Sequence, residues 1–149
     1  MHRILILHGP NLHALGEREP EVYGRETLAG IDRRILQLGT ELGCEIETLQ
    51  TNHEGVLIDA LYRAADRTDG VVLNPGGLTH TSVALHDALR ATKLPVVEVH
   101  LSNPHARESF RSVSRVSPAV LGVVQGFGAD SYLLALRGLA SHLSDGTRG

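Results

Sequence analysis

Lysine is almost missing from this chain. Of its 14 basic side chains only Lys93 is a lysine, and the rest are arginines. Imine catalysis needs a desolvated lysine amine. Lys93 sits in Ala-Thr-Lys-Leu-Pro, a turn leading into a strand, so a surface role is expected and the chemistry must rest on guanidinium, imidazole, carboxylate, phenol and amide groups. Tryptophan is absent and aromatics make up 3% of the chain, which disfavours stacking platforms for single-stranded nucleic acid. The 14 basic residues face 17 acidic ones, a formal charge of -3, which argues against a nucleic-acid or anionic-membrane module. The lone Cys44 rules out an intramolecular disulfide and a thiolate metal cluster. No apolar run approaches the ~18 residues of a membrane helix. Met1-His2-Arg3-Ile4 reads directly into a strand, with no room for a signal peptide, so a cytoplasmic location is expected.

What remains is 149 residues, 42% hydrophobic and 21% charged, which suits one domain over residues 1–149. Such a chain buries roughly 68–70% of its unfolded surface and needs no staple. Short apolar runs alternate with amphipathic ones. Arg3-Ile-Leu-Ile-Leu7 and Gly70-Val-Val-Leu73 read as buried strands, and Glu45 to Gln50 alternates as a third. Pro95 to Val99 and Ala119 to Val124 supply two more, with the proline at a strand start. Helical spacing runs through Leu28, Ile31, Ile35, Leu38 and Leu42, with Gly43 as the C-terminal stop. A second helix follows an Asn52 cap; others are expected over residues 79–91, 107–111 and 129–143, and residues 144–149 as a frayed tail. Strands alternating with helices imply a parallel sheet covered on both faces. At this length the expected α/β arrangement is a flavodoxin-like three-layer sandwich with a five-stranded sheet of order 2-1-3-4-5. Ligands then bind beyond the carboxyl ends of the strands, where the first and third part.

Polar residues gather at that point. The first strand runs into His8-Gly-Pro-Asn11 and the third into Asn74-Pro-Gly-Gly-Leu-Thr-His80, so two amides flank the switch point. The fourth ends in Glu98-Val-His100-Leu101-Ser102. Residues two apart share a strand face, so Glu98 can orient the His100 imidazole. His80 is expected at a helix N-terminus, where anions are favoured, with Asp87 seven residues on and on the same face. Leu101 and Ser102 can offer backbone N–H groups to a carboxylate. Arg111 can pair with substrate oxygens or simply be solvated, and both readings stand. The stretch from Asn11 to Gly24 exceeds the ~2–6 residues of an ordinary connection and suggests a lid. In it, Arg18 can favour the phenolate of Tyr23. Equally, Tyr23 can pack apolar surface while Arg18 pairs with Glu17, Glu19 or Glu21.

Other signals lead away from chemistry. Gly126-Phe-Gly-Ala-Asp mimics part of a dinucleotide fingerprint, yet too little chain follows for a second βαβ unit, so a tight turn is expected. There is no phosphate-cradling loop, no H-E-x-x-H among the nine histidines, and no G-x-S-x-G elbow. Two other classes of function stand against an enzyme acting through these pairs: a non-enzymatic module binding a small carboxylate, and a histidine-metal hydrolase.

The chain resembles the type II 3-dehydroquinate dehydratases (type II dehydroquinases). The resemblance rests on Leu7-His-Gly-Pro-Asn-Leu12, Gly16-Glu-Arg-Glu-Pro-Glu-Val-Tyr-Gly24, Asn52-His-Glu-Gly55, Asn74-Pro-Gly76, Thr79-His-Thr-Ser82, Glu98-Val-His-Leu-Ser-Asn-Pro104 and Gly122 to Gly128, in order across nearly the whole chain. It implies a cofactor-free, metal-free lyase that converts 3-dehydroquinate to 3-dehydroshikimate through an enolate, in the shikimate pathway or quinate breakdown. By the same resemblance Tyr23 is the base and Arg18 keeps it ionised. Asn11 positions a water on the enolate oxygen, and His100, oriented by Glu98, protonates the departing hydroxyl. Asn74, His80, Leu101, Ser102 and Arg111 match substrate-binding positions. Asp87 matches one that completes a neighbouring subunit's site, since the family forms trimers, usually four to a dodecamer. The family usually has Asn at position 13 and Ala-Tyr at 77–78, where this chain has His13 and Gly77-Leu78. Asn52-His-Glu is expected only to cap a helix.

Overall fold

Alternate residues of the first strand face opposite layers, and that parity organises the molecule. The computed structural model describes residues 1–17, 19–23 and 25–146, without the side chain of Tyr23. Strand β1 (His2–His8) sends Ile4 and Ile6 to one face of the sheet and Leu5 and Leu7 to the other, all four buried. Around it lie β2 (Cys44–Gln50), β3 (Gly70–Asn74), β4 (Val96–His100) and β5 (Gly122–Gln125), in the order β2-β1-β3-β4-β5, every pair parallel. This is the expected sheet. One core layer packs Ile4, Ile6, Val72 and Val97 against α2 (Leu28–Glu41) and α5 (Asp130–Gly146). The other packs Leu5, Leu7, Val71 and Leu73 against α3 (Glu54–Ala64) and α4 (Val83–Thr92). A short helix, α1 (Pro20–Tyr23), lies in the long β1–α2 connection.

Helix ends follow local chemistry. Thr27 Oγ1 accepts the Gly30 N–H to start α2, and Gly43, at φ +70, follows its last turn as the spacing predicts. Arg34 on α2 pairs with Glu26 at 2.9 Å and with Asp130 of α5 at 2.7 Å, tying those two helices together.

Several boundaries differ from the sequence reading. The predicted helix over 79–91 is two pieces: a 3-10 turn over Gly76–His80, then α4, because the Ser82 hydroxyl accepts the Leu85 N–H at 2.9 Å and restarts the chain as an α-helix. His80 therefore ends a 3-10 turn and is not at an α-helix N-terminus, and the shared face argued for it with Asp87 does not exist. The predicted helix over 107–111 is replaced by 3-10 turns over Pro104–Ala106 and Ser109–Ser112. Strand β5 begins at Gly122, not residue 119, because Ser117–Ala119, with Pro118 in its first turn, forms another 3-10 turn. Helix α5 continues through Gly146, three residues into the expected frayed tail; residues 147–149 lie outside the described part. Gly126 and Gly128, at φ +97 and +60, form the tight turn expected there.

Candidate active site

β1 and β3 end level with one another, His8 in register with Asn74, and their exits part around a crevice. From β1 comes Asn11, in the left-handed region at φ 71, a conformation asparagine tolerates better than most residues. Its backbone N–H donates to Asn52 Oδ1 at 2.9 Å, and Gln50 Nε2 donates to the same oxygen at 3.2 Å. This corrects the capping role expected of Asn52. His53 occupies the cap position of α3 with no side-chain bond, while Asn52 reaches across to fix the backbone of Asn11. From β3 comes Asn74, buried, its Oδ1 accepting the Gly76 N–H at 3.1 Å.

β4 supplies the acid–base pair. Val96, Glu98 and His100 alternate onto one face, and all are buried. His100 Nε2 lies 2.5 Å from Glu98 Oε2. A carboxylate only accepts, so it fixes the hydrogen on Nε2 and leaves Nδ1 for a bound molecule. The other Glu98 oxygen accepts the Ser117 hydroxyl at 2.8 Å. With both oxygens hydrogen-bonded and 1% of the residue exposed, the carboxylate is held in one orientation.

The crevice is lined by Asn11, Asn74, His80, His100, Leu101, Ser102 and Arg111 together with Pro10, Leu12, Gly76, Gly77, Pro104 and Arg107. Seven of the predicted site residues thus meet at one place, and Glu98 stands behind His100. His80 Nδ1 donates to the Val113 carbonyl at 2.8 Å, which leaves Nε2 free to accept. Arg111 stacks on Phe110 at 4.9 Å, and its Nε donates to Glu108 at 3.1 Å. That hydrogen bond holds the Glu108 carboxyl below its ordinary range. Arg111 is thus ion-paired with Glu108 and also lines the crevice.

Asp87 is exposed on α4 and is not among the residues lining the crevice. Arg18 and the side chain of Tyr23 lie outside the described residues. Leu78, one of the family departures, packs into the α3–α4 core layer, while a Cβ at Gly77 would meet nothing within 4 Å. Among the described residues, no three His, Cys, Asp or Glu side chains gather to hold a metal, and no helix is long and apolar enough to cross a membrane.

Two participants escaped the sequence reading. Ser117 has no spacing signal, since it reaches Glu98 from a turn 19 residues later. Arg107, expected only as the start of a helix, lines the crevice and donates to Ser102 Oγ at 3.2 Å.

A parallel sheet of this order, with an acid-backed imidazole and two amides converging on the switch-point crevice, defines an α/β enzyme acting on a small polar molecule. The comparisons narrow that class. The dehydroquinase class II family profile matches residues 2–140. The 3-dehydroquinate dehydratase of Ruegeria pomeroyi is 55% identical over 144 residues, 97% of each chain. That of Geotalea daltonii is 54% identical over 141 residues, covering 95% of this chain and 98% of its own. The crystal structure of type II dehydroquinase from Propionibacterium acnes superposes with a TM-score of 0.91 at 44% identity, covering 95% of this chain and 97% of that one. The chain belongs to the class II dehydroquinase family.

Proposed function

We propose that the residues around this crevice dehydrate 3-dehydroquinate in two separate proton transfers, as a class II dehydroquinase and hence a hydro-lyase. The leaving hydroxyl is β to the ketone, so loss of the proton beside the carbonyl gives an enolate, and no imine is needed. Tyr23, kept as phenolate by Arg18, takes that proton. Asn11 holds a water on the enolate oxygen. His100, turned by Glu98 and acting as the imidazolium, gives its Nδ1 proton to the hydroxyl as the C–O bond breaks and returns to the neutral imidazole, so the products are the conjugated enone and water. Asn74, His80, Leu101, Ser102 and Arg111 bind the substrate's carboxylate and hydroxyls. Asp87 belongs, in this reading, to the site of a neighbouring subunit in a trimer, four trimers making a dodecamer. The chain acts as a single catalytic domain in the cytoplasm, with neither cofactor nor metal.

One observation carries the reading: an imidazole bound at 2.5 Å to a buried carboxylate on the wall of the crevice where two asparagines converge. The test is formation of enone absorbance from 3-dehydroquinate by the purified protein with EDTA present. Turnover that resists the chelator is expected. Binding without turnover would favour a carboxylate-binding module, and loss with EDTA a metal hydrolase. Tyr23→Phe and Arg18→Ala should each nearly abolish the rate, and near-normal rates in either would overturn the assignment of the base.

A further inference from the structure

The side chains of Gln50 and Asn52 carry the β1–β2 pairing past the end of the sheet, and the reaction proposed above gives neither a part. His8 and Gln50 are the last partners in register, and the Thr51 N–H donates to the His8 carbonyl at 2.9 Å. Beyond that point Gln50 Nε2 donates to the Gly9 carbonyl and to Asn52 Oδ1, each at 3.2 Å. Asn52 Oδ1 also accepts the Asn11 N–H at 2.9 Å. Both hydrogens of the Gln50 amide and both lone pairs of Asn52 Oδ1 are thereby engaged. Pro10, between the two gripped residues, has no N–H to offer. On the other side the Asn74 carbonyl holds the Gly9 N–H at 2.7 Å, so the exit of β1 is clamped from both neighbouring strands.

Asn11 stands at the N-terminal boundary of a 3-10 turn over Leu12–Ala14. An asparagine in that place ordinarily has an extended backbone, and its side chain bonds a backbone N–H of its own turn. Here neither holds. Its φ is 71, its side chain makes no capping bond, and it lines the crevice. The clamp accounts for the difference. Asn52 holds the peptide plane before Asn11, and the plane after it donates the Leu12 N–H to the Gly9 carbonyl at 3.4 Å, the oxygen that Gln50 also holds. With both planes fixed, Asn11 has little freedom to return to the extended region.

We propose that Gln50 and Asn52 are positioning residues that hold the Asn11 backbone in the left-handed region and so keep its amide toward the crevice, where otherwise it would cap its own turn. The proposal rests on the reading of Asn11 as the group that holds a water on the enolate oxygen. Negative charge grows on that oxygen only as the reaction proceeds, so a misplaced Asn11 slows turnover and leaves substrate affinity nearly intact. The polarity of the clamp is specific. A carboxylate at position 52 still accepts both hydrogens, whereas a carboxylate at position 50 sets an acceptor against the Gly9 carbonyl and Asn52 Oδ1.

The experiment is a double-mutant cycle on 3-dehydroquinate kinetics. Asn52 is exposed, so its truncation leaves the core untouched. Asn52→Ala is expected to lower kcat about tenfold with KM within about threefold, and to add nothing in an Asn11→Ala background. Asn52→Asp should restore kcat to within about threefold of wild type, while Gln50→Glu should fall at least as far as Asn52→Ala. A merely structural contact would not separate the two carboxylate variants. A folded Asn52→Ala enzyme with unaltered kcat, beside an Asn11→Ala enzyme with lowered kcat, would overturn the clamp and leave the site reading standing. So would an Asn52→Asp enzyme as slow as Asn52→Ala. An unaltered kcat in Asn11→Ala would take both down.

Discussion

The Gly9 N–H donates to the Asn74 carbonyl at 2.7 Å, and a Cβ built on Gly9 would lie 2.8 Å from that same oxygen. The two strand exits are therefore zipped together at the first residue past β1, with no space for a side chain between them. The crevice takes its width from this contact, because Asn11 follows two residues after Gly9 on one side and Asn74 begins the other.

Gly9→Ala should accordingly damage both fold and function. The methyl group would meet backbone atoms of Asn74 and Pro75, which have no rotamer to yield with. Overpacking of this kind costs about 1–3 kcal/mol. Urea denaturation should report that loss, and turnover should fall further than the stability change explains, since the two asparagines would be pushed apart. A Gly9→Ala enzyme of normal stability and rate would show that the strand exits do not set the site.

Glu98 and Ser117 permit a graded test of the acid. Glu98→Gln keeps the shape but can offer His100 Nε2 a donor, which reverses the imidazole tautomer and removes the charge that supports an imidazolium. The rate should drop by roughly 10²–10⁴, the range for a lost general acid. Ser117→Ala removes only the donor to the second oxygen and leaves a buried acceptor unsatisfied, at a cost of about 1–3 kcal/mol. A smaller fall in kcat is expected than for Glu98→Gln, with KM little altered. The reverse ranking would mean that Ser117 acts on the substrate directly.

Asn11 allows backbone strain to be separated from chemistry. At φ 71, a residue with a Cβ and no short polar side chain is penalised by roughly 1–2 kcal/mol. Asn11→Gly should therefore be more stable than Asn11→Ala by about 1 kcal/mol, read from thermal or urea midpoints, while both lose most activity. Equal stabilities would indicate that the Asn52 contact, and not the asparagine's own tolerance of this conformation, fixes the turn.

How far the molecule was legible in its sequence depends on the range of the signal. β1 and β3 were readable because a strand buried on both faces is a bare apolar run, and the sheet order followed from strand–helix alternation. The Glu98–His100 pair was readable because a spacing of two is local. The buried hydrogen bond between His8 and Tyr132 spans 124 positions, and Asp32 is joined to it only by sheet register and helix packing, so no spacing could announce them. Asn52 failed for a different reason, since an asparagine before a helix can cap it or reach elsewhere, and only the position of Asn11 decides. The break before α4 was signalled by Ser82, three residues ahead of Leu85, but apolar periodicity on either side masked it.

Tyr132 also makes the fold sensitive to alkali in a direction that can be computed. Burial pushes its phenol far above the ordinary range. Above about pH 10 the unfolded chain releases that proton while the folded one keeps it. The native state then binds more protons than the unfolded state, so stability declines as pH rises, by about 1.4 kcal/mol per unit for one such group. Its contribution is fully present below the phenol's ordinary range and is lost progressively above it. Burial of the Cys44 thiol acts in the same sense from lower pH, but it is common to wild type and variant. The difference between wild type and Tyr132→Phe therefore isolates the phenol. Urea midpoints measured from pH 8 to 11 should run parallel up to about pH 10 and then converge or cross, the wild type falling faster. Parallel curves throughout would mean that the Tyr132 hydroxyl is not enclosed as the α5 packing requires.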